Sequence, residues 1–186
     1  MITREEVLKY VQSRTKNVNL VKHMLAVEAE MRALAKHFQE EEELWGLAGL
    51  IHDADYEEMK ERHPSVEFFK QLKELEFDPK IIQAVKAHGW NFQVGLPEPQ
   101  TKMEWSLYCC DELSGLIIAC ALVRPEKKLA TVTVESVLKK WKEKSFAAGV
   151  HREQIELCQK KLGIPLAEFI ALSLKAMQAI APQLGL

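Results

Sequence analysis

Apolar residues recur at helical spacing along almost the whole chain. Met24, Val27, Met31, Leu34, Ala35 and Phe38 share one face of a 3.6-residue repeat and predict a helix capped at Asn19 and running to Phe38. Leu44, Leu47, Ala48 and Ile51 form the stripe of the next helix, and the acidic run Glu40 to Glu43 suits its positive end. Upstream, Thr3 with Glu6 makes a capping box that opens a short helix to about Val11. Prolines place two more starts: Pro64 at a first helical position in "RHPSVEFFKQL", and Pro79 behind the cap Asp78, with Gly89 as the stop. The segment "WNFQVGLPEPQ" reads as a loop. A second capping box, Thr101 with Glu104, opens a long apolar helix to about Val123. Further helices are expected over about Val134–Ala147, Arg152–Leu162 and Pro165–Ile180. Strand-like alternation occurs only in "KLATVTV", too little for a sheet. The pattern predicts an all-α, single-domain bundle of about nine helices spanning 1–186.

A chain of 186 residues, 47% of them hydrophobic, is large enough to bury one substantial core. The net charge of −2 carries no global signal for nucleic acid or membrane. Charge is unevenly placed, however: residues 28–61 hold eleven acidic and three basic side chains, and residues 121–163 hold ten basic and five acidic. The latter could attract an anion or simply form a solvated helix face. The four cysteines, Cys109, Cys110, Cys120 and Cys158, form no CxxC pair, and no apolar leader-like segment precedes them. The longest apolar run, Leu113 to Val123, is too short to span a bilayer. Free thiols and a cytoplasmic location are the expectation.

The stretch "LAGLIHDADYEEMKERHP" changes the picture. An apolar helix ends in His52-Asp53, with Asp55 and His63 close behind. His23 and Asp111 interrupt helices that are otherwise strongly apolar, and His88 closes another just before Gly89. A buried, unpaired carboxylate such as Asp111 is costly and calls for a cation or donors. Ser114 and Gly115, one turn on, are small enough to leave room beside it. Imidazole and carboxylate together suit iron, manganese, zinc, cobalt or nickel, and helical bundles often build such sites from converging side chains. Each residue also has a structural explanation: Asp53 as a helix-end acceptor, His63 as a cap, His88 at a negative helix end, Asp111 paired with a lysine. Order and spacing together are what single them out.

The series His23, His52-Asp53, Asp111 on successive helices resembles the HD-domain superfamily of metal-dependent phosphohydrolases over roughly residues 17–124. His63 and His88 resemble the two extra histidines of its two-metal branches. "LVRPEKK" and "KSFAAGVHRE" look like segments of a bacterial subgroup of HD hydrolases, while the "GYP" loop of cyclic-di-GMP enzymes is absent. The resemblance implies that His23, His52, Asp53 and Asp111 hold a first divalent metal (Fe, Mn, Zn, Co, Ni or Mg). His63 and His88 would hold a second, with Asp53 bridging. It further implies hydrolysis of a nucleotide or other small phosphoester by metal-activated water, with Asp53, Asp55 and Lys22 as the catalytic set and Asp55 able to orient a ligand histidine. The basic helices of residues 125–186 would complete the domain. Arg124, Lys144 and Arg152, with Lys127 and Lys128, are the basic residues able to meet phosphate; the two arginines rank first because guanidinium pairs with it bidentately. A non-catalytic metal-containing nucleotide sensor or scaffold, and a di-iron oxygenase on the same fold, are the alternatives. Trp90, Phe92 and Trp105 fit a pocket wall or core better than nucleic acid, since basic and aromatic residues do not interleave.

Overall fold

A computed structural model describes residues 2–186. Among the described residues every regular element is helical: α1 (Arg4–Arg14), α2 (Val18–Phe38), α3 (Glu42–Ile51), α4 (Tyr56–Met59), α5 (Val66–Glu74), α6 (Pro79–His88), α7 (Lys102–Leu122), α8 (Val134–Trp141), α9 (Arg152–Leu157), α10 (Leu166–Ala179) and α11 (Ala181–Leu184). Two of the eleven, α4 and α11, are single turns, leaving nine longer helices. The chain forms one all-helical domain.

Caps explain where most helices begin. Thr3 and Glu6 satisfy each other's backbone N–H groups at the start of α1, which runs one turn beyond the expected Val11. The start of α2 is capped by Asn17, not Asn19: the Asn17 side chain accepts the Asn19 N–H at 3.0 Å. Pro64 is likewise not the first residue of α5. Ser65 caps that helix by accepting from the Phe68 N–H at 3.1 Å, and His63 stays extended before it. The Thr101 hydroxyl accepts the Glu104 N–H, while the Glu104 carboxylate returns to the N–H of Gln100 rather than of Thr101. "KLATVTV" becomes a 3-10 turn at Leu129–Thr131 leading into the Thr133 cap of α8. α8 stops at Trp141, short of Ala147, and α9 winds into one wider π turn at Cys158–Leu162 before Gly163.

Two long helices organise the core. α2 packs along α3, α7 and α10, and α7 is flanked by α6, α8 and α9. Met24, Met31, Leu34, Leu50, Ile51, Leu107, Leu113 and Leu116 are fully buried between them. Each such side chain contributes about 1.5–3 kcal/mol by leaving water. α7 is long and apolar enough by composition to cross a membrane, yet two thirds of its most apolar window is buried inside the bundle. Close approach of α2 and α3 depends on Gly49, where a Cβ would come within 2.8 Å of the Val27 carbonyl oxygen. That contact brings the end of α3, and with it His52-Asp53, against the face of α2 that carries His23.

Candidate metal centre

Helix ends and loops deliver the polar side chains to one place. His23 projects from α2; His52 and Asp53 follow the last turn of α3; His63 lies in the connection before α5; His88 ends α6; Asp111 sits in α7. His52 and His88 are almost wholly enclosed, and Asp53 is only 7% exposed. Two groups of ligand atoms form, His23 with His52, Asp53 and Asp111, and Asp53 with His63 and His88. Asp53 belongs to both. Its Oδ1 lies 2.8 Å from His63 Nε2, 3.4 Å from His52 Nε2 and 3.7 Å from His88 Nε2, while its Oδ2 lies 3.5 Å from His23 Nε2. Asp111 Oδ1 is 3.1 Å from His23 Nε2 and 3.6 Å from His52 Nε2. Metal–ligand bonds of about 2.0–2.2 Å give polyhedron edges of roughly 3.0–3.6 Å, the spacing seen across these atoms.

The hydrogen bonds of the opposite ring nitrogens assign the tautomers. His52 Nδ1 donates to the Gly49 carbonyl at 2.8 Å and His88 Nδ1 to the Val85 carbonyl at 2.5 Å. His63 Nδ1 donates to Asp55 Oδ1 at 2.6 Å. Ser114 gives its hydroxyl proton to the Asp111 carbonyl, so its oxygen accepts from His23 Nδ1 at 2.9 Å. All four Nε2 atoms are therefore free to present lone pairs inward. His63 Nε2 and His88 Nε2 stand 2.9 Å apart, and His52 Nε2 is buried without a hydrogen-bond partner. Facing lone pairs and an orphaned nitrogen beside two carboxylates are unfavourable unless a cation sits among them. The donor set fits a divalent metal.

Without a metal, protons would take the place of that cation. Burial opposes the protonated form of His52, but Asp53 and Asp111 outweigh it and raise its pKa to about 9. His63 is driven to about 10 against burial by Asp53 and Asp55. His88, more deeply enclosed and beside His63 and His52, is instead lowered. Burial works against ionising Asp53 and Asp111, yet the surrounding histidines hold both carboxyls below the usual range. Asp55, fully enclosed, is likewise held low by His63 and by the Ser65 N–H, which it accepts at 2.8 Å. Asp55 thus orients His63 and does not line the cavity.

Above this floor opens a cavity of about 600 Å³, walled by Asp53, Tyr56, Lys60, His63, His88, Phe92, Asp111, Glu112 and His151 among others. The remaining expected residues lie elsewhere. Lys22 turns to the carboxy-terminal end, its ammonium so near Gly185 that a Cβ there would come within 2.9 Å. Arg124 lines a separate groove with Lys139 and Lys140. Lys144 is exposed and does not line the cavity. Arg152 spends its guanidinium on the carbonyls of Trp141, Glu143 and Phe146, tying down the connection before α9. None of these four is positioned to act at the centre. Conversely, Lys60 and Glu112 reach the cavity without a motif to mark them, His151 reaches it from the segment "KSFAAGVHRE", and Ser114, notable in sequence only for its size, fixes the His23 ring.

A helical domain that converges four imidazoles and two carboxylates, one of them shared, has side-chain clusters consistent with a two-metal centre. The model of the HD domain matches residues 20–116, which include all six of these side chains, and the chain belongs to the HD-domain family. That family consists mostly of metal-dependent phosphohydrolases. No curated protein and no solved structure matches the chain.

Proposed function

We propose that the protein is a metal-dependent phosphohydrolase that cleaves a nucleotide or other small phosphoester. The observation that carries this reading is the inward convergence of four Nε2 atoms on Asp53 and Asp111 at the floor of an open cavity. His23, His52, Asp53 and Asp111 would hold one divalent ion, and Asp53, His63 and His88 a second. When bound, such ions supply Lewis acidity and a water of lowered pKa.

The chain's own residues do the rest. The Nδ1 bonds of the four histidines hold their rings in place, so that little reorganisation accompanies the reaction. Asp53 joins the two ligand groups, its Oδ2 facing His23 and its Oδ1 facing His63. Enclosure of His52 and His88 keeps bulk water from the inner side. Lys60, exposed at the mouth, brings positive charge toward an incoming phosphate.

The test is metal content per chain after anaerobic purification and reconstitution with iron or manganese, paired with a phosphoester screen. About two equivalents of metal are expected, with hydrolysis that disappears in Asp53→Ala together with most of the metal. Metal uptake with no hydrolysis of any phosphoester would overturn the hydrolase reading in favour of a sensor. Oxygen consumption by a mixed-valent iron form would move it to oxidative chemistry.

A further inference from the structure

The outer wall of the cavity is completed from beyond the family match, at the start of α9. His151 is 39 residues from Glu112 in sequence, yet Glu112 binds it twice. The His151 main-chain N–H donates to Glu112 Oε2 at 2.9 Å and its ring Nδ1–H to Oε1 at 2.8 Å. One carboxylate gripping both backbone and ring fixes the direction of the imidazole. Glu112 is a firm anchor, its side chain only 15% exposed. Because it directly follows Asp111, the clamp is indexed to the metal centre by a single helical step. Among the described residues Nε2 of His151 has no protein partner, and the residue lines the cavity. The hydrogen bond to Glu112 favours the protonated ring, so its pKa lies above the ordinary imidazole value. The clamp thus turns Nε2 away from Glu112 and leaves it open for hydrogen bonding.

Across the mouth, Phe92 brings its ring to 5.3 Å from the His151 ring, at 68°. Phe92 is half exposed and lines the cavity, so its ring is accessible from that side. Leu20 and Tyr56 extend the apolar part of the same wall. Apart from the ligand histidines, the basic side chains among the residues lining the cavity are Lys60 and His151, and Glu61 and Glu112 line it with them. No arginine lines it. A polyphosphate tail would find few donors here, whereas a single phosphoryl group is served by the metal floor.

We propose that His151, oriented by Glu112, determines specificity. Its Nε2 makes a hydrogen bond with the alcohol portion of the substrate while Phe92 lies against a flat ring in that portion. The site therefore takes a compact phosphomonoester of a ring-bearing alcohol rather than a polyphosphate. The phosphoryl end of this assignment rests on the hydrolase reading; recognition of the alcohol does not.

Calorimetric titration of the manganese-loaded full chain with adenosine 5′-monophosphate, adenosine 5′-triphosphate and inorganic phosphate tests it. The monophosphate should bind more tightly than either of the others. His151→Ala should weaken the monophosphate by up to about tenfold, the worth of a hydrogen bond, and leave phosphate within about twofold. His151→Gln, which keeps a donor, should recover part of the loss, and Phe92→Ala should weaken the monophosphate alone. An unchanged metal content and melting temperature certify each variant. Tighter triphosphate binding, or equal effects of His151→Ala on monophosphate and phosphate, overturns the proposal. His151-dependent binding without turnover would sink the hydrolase reading and leave this one standing; turnover indifferent to His151 would do the reverse.

Discussion

Glu30 provides a sharp quantitative test of how the bundle is assembled behind its metal centre. It lies on α2, fully buried, against α7 and α10, with Cys110 and Ser173 as polar neighbours and neither carboxyl oxygen in a well-formed hydrogen bond. Burial, helped slightly by Asp111 and opposed by Ser173 and Cys110, raises its pKa from 4.5 to about 8. At neutral pH the folded protein therefore holds a proton that the unfolded chain releases. Below the unfolded value both states are protonated and Glu30 contributes no pH dependence. Between that value and the folded one, each pH unit costs the fold about 1.4 kcal/mol, and above the folded value the penalty is constant. From pH 5 to pH 7 the loss is about 3 kcal/mol, a sizeable part of a typical domain's stability. Glu30→Gln removes the proton from the balance. Urea unfolding of the wild type and the variant, both freed of metal with chelator, should diverge by about 1.4 kcal/mol per pH unit over this range, the variant gaining as pH rises. Other titrating groups cancel in the difference. Parallel stability–pH curves would mean that Glu30 is ionised in the fold, and the dry α2–α7–α10 contact would be refuted. The consequence reaches the site, because a neutral Glu30 adds no second negative charge behind Asp111.

Three other perturbations separate the parts of the structure. Asp55→Asn should weaken one class of metal site by about 10–100-fold through loss of His63 orientation; manganese titration showing both classes weakened equally would contradict the pairing. Gly49→Ala places a Cβ 2.8 Å from the Val27 carbonyl oxygen and should cost about 1–3 kcal/mol by prising α3 from α2, visible as a lowered melting temperature. An unchanged melting temperature would show that the two helices have slack. Arg152→Ala should cost about 1–3 kcal/mol by leaving three carbonyls without their donor, and Arg152→Lys should not restore it, since an ammonium lacks the planar fork. Full rescue by lysine in urea unfolding would mean that charge alone matters there.

The helices were legible because each announces itself locally. Thr3, Asp78 and Thr101 sit where a side-chain oxygen can meet an unsatisfied N–H, and the apolar spacing of α2 and α3 follows from burial on one side. Boundaries failed where two local signals competed. Asn17 and Asn19 are both good caps, and a tertiary contact accompanies the choice of Asn17, whose own N–H is taken by Glu57 of α4 at 3.1 Å. Pro64 suits a first helical turn, but His63 must stay extended to meet Asp55, so the helix waits for Ser65. Arg152, expected at phosphate, and Lys22, expected in the catalytic set, lie elsewhere for a different reason. Both carry the right charge, but long side chains reach whichever partner the tertiary fold offers, and those partners are backbone carbonyls and the carboxy-terminal helix end. His151 shows the converse: its partner Glu112 is far away in sequence, and nothing in "GVHRE" itself points to it.

The convergence of these histidines was readable because helix termination and ring orientation are here one event. A helix ends with carbonyls in its last turn that no following N–H can satisfy. His52 and His88 stand at two such ends, and each returns its Nδ1–H to the carbonyl three residues back, Gly49 in α3 and Val85 in α6. That bond satisfies the carbonyl, stabilises the ring at the negative end of the helix dipole, and fixes the tautomer that leaves Nε2 facing inward. A histidine at the end of an apolar helix is thus already a half-built ligand, needing only neighbours of the same kind. His23 and His63, which lack a helix-end carbonyl, obtain the same orientation from Ser114 and Asp55. Those two are the partners that sequence periodicity marks least, because they are supplied by tertiary contact and not by the turn in which the histidine lies.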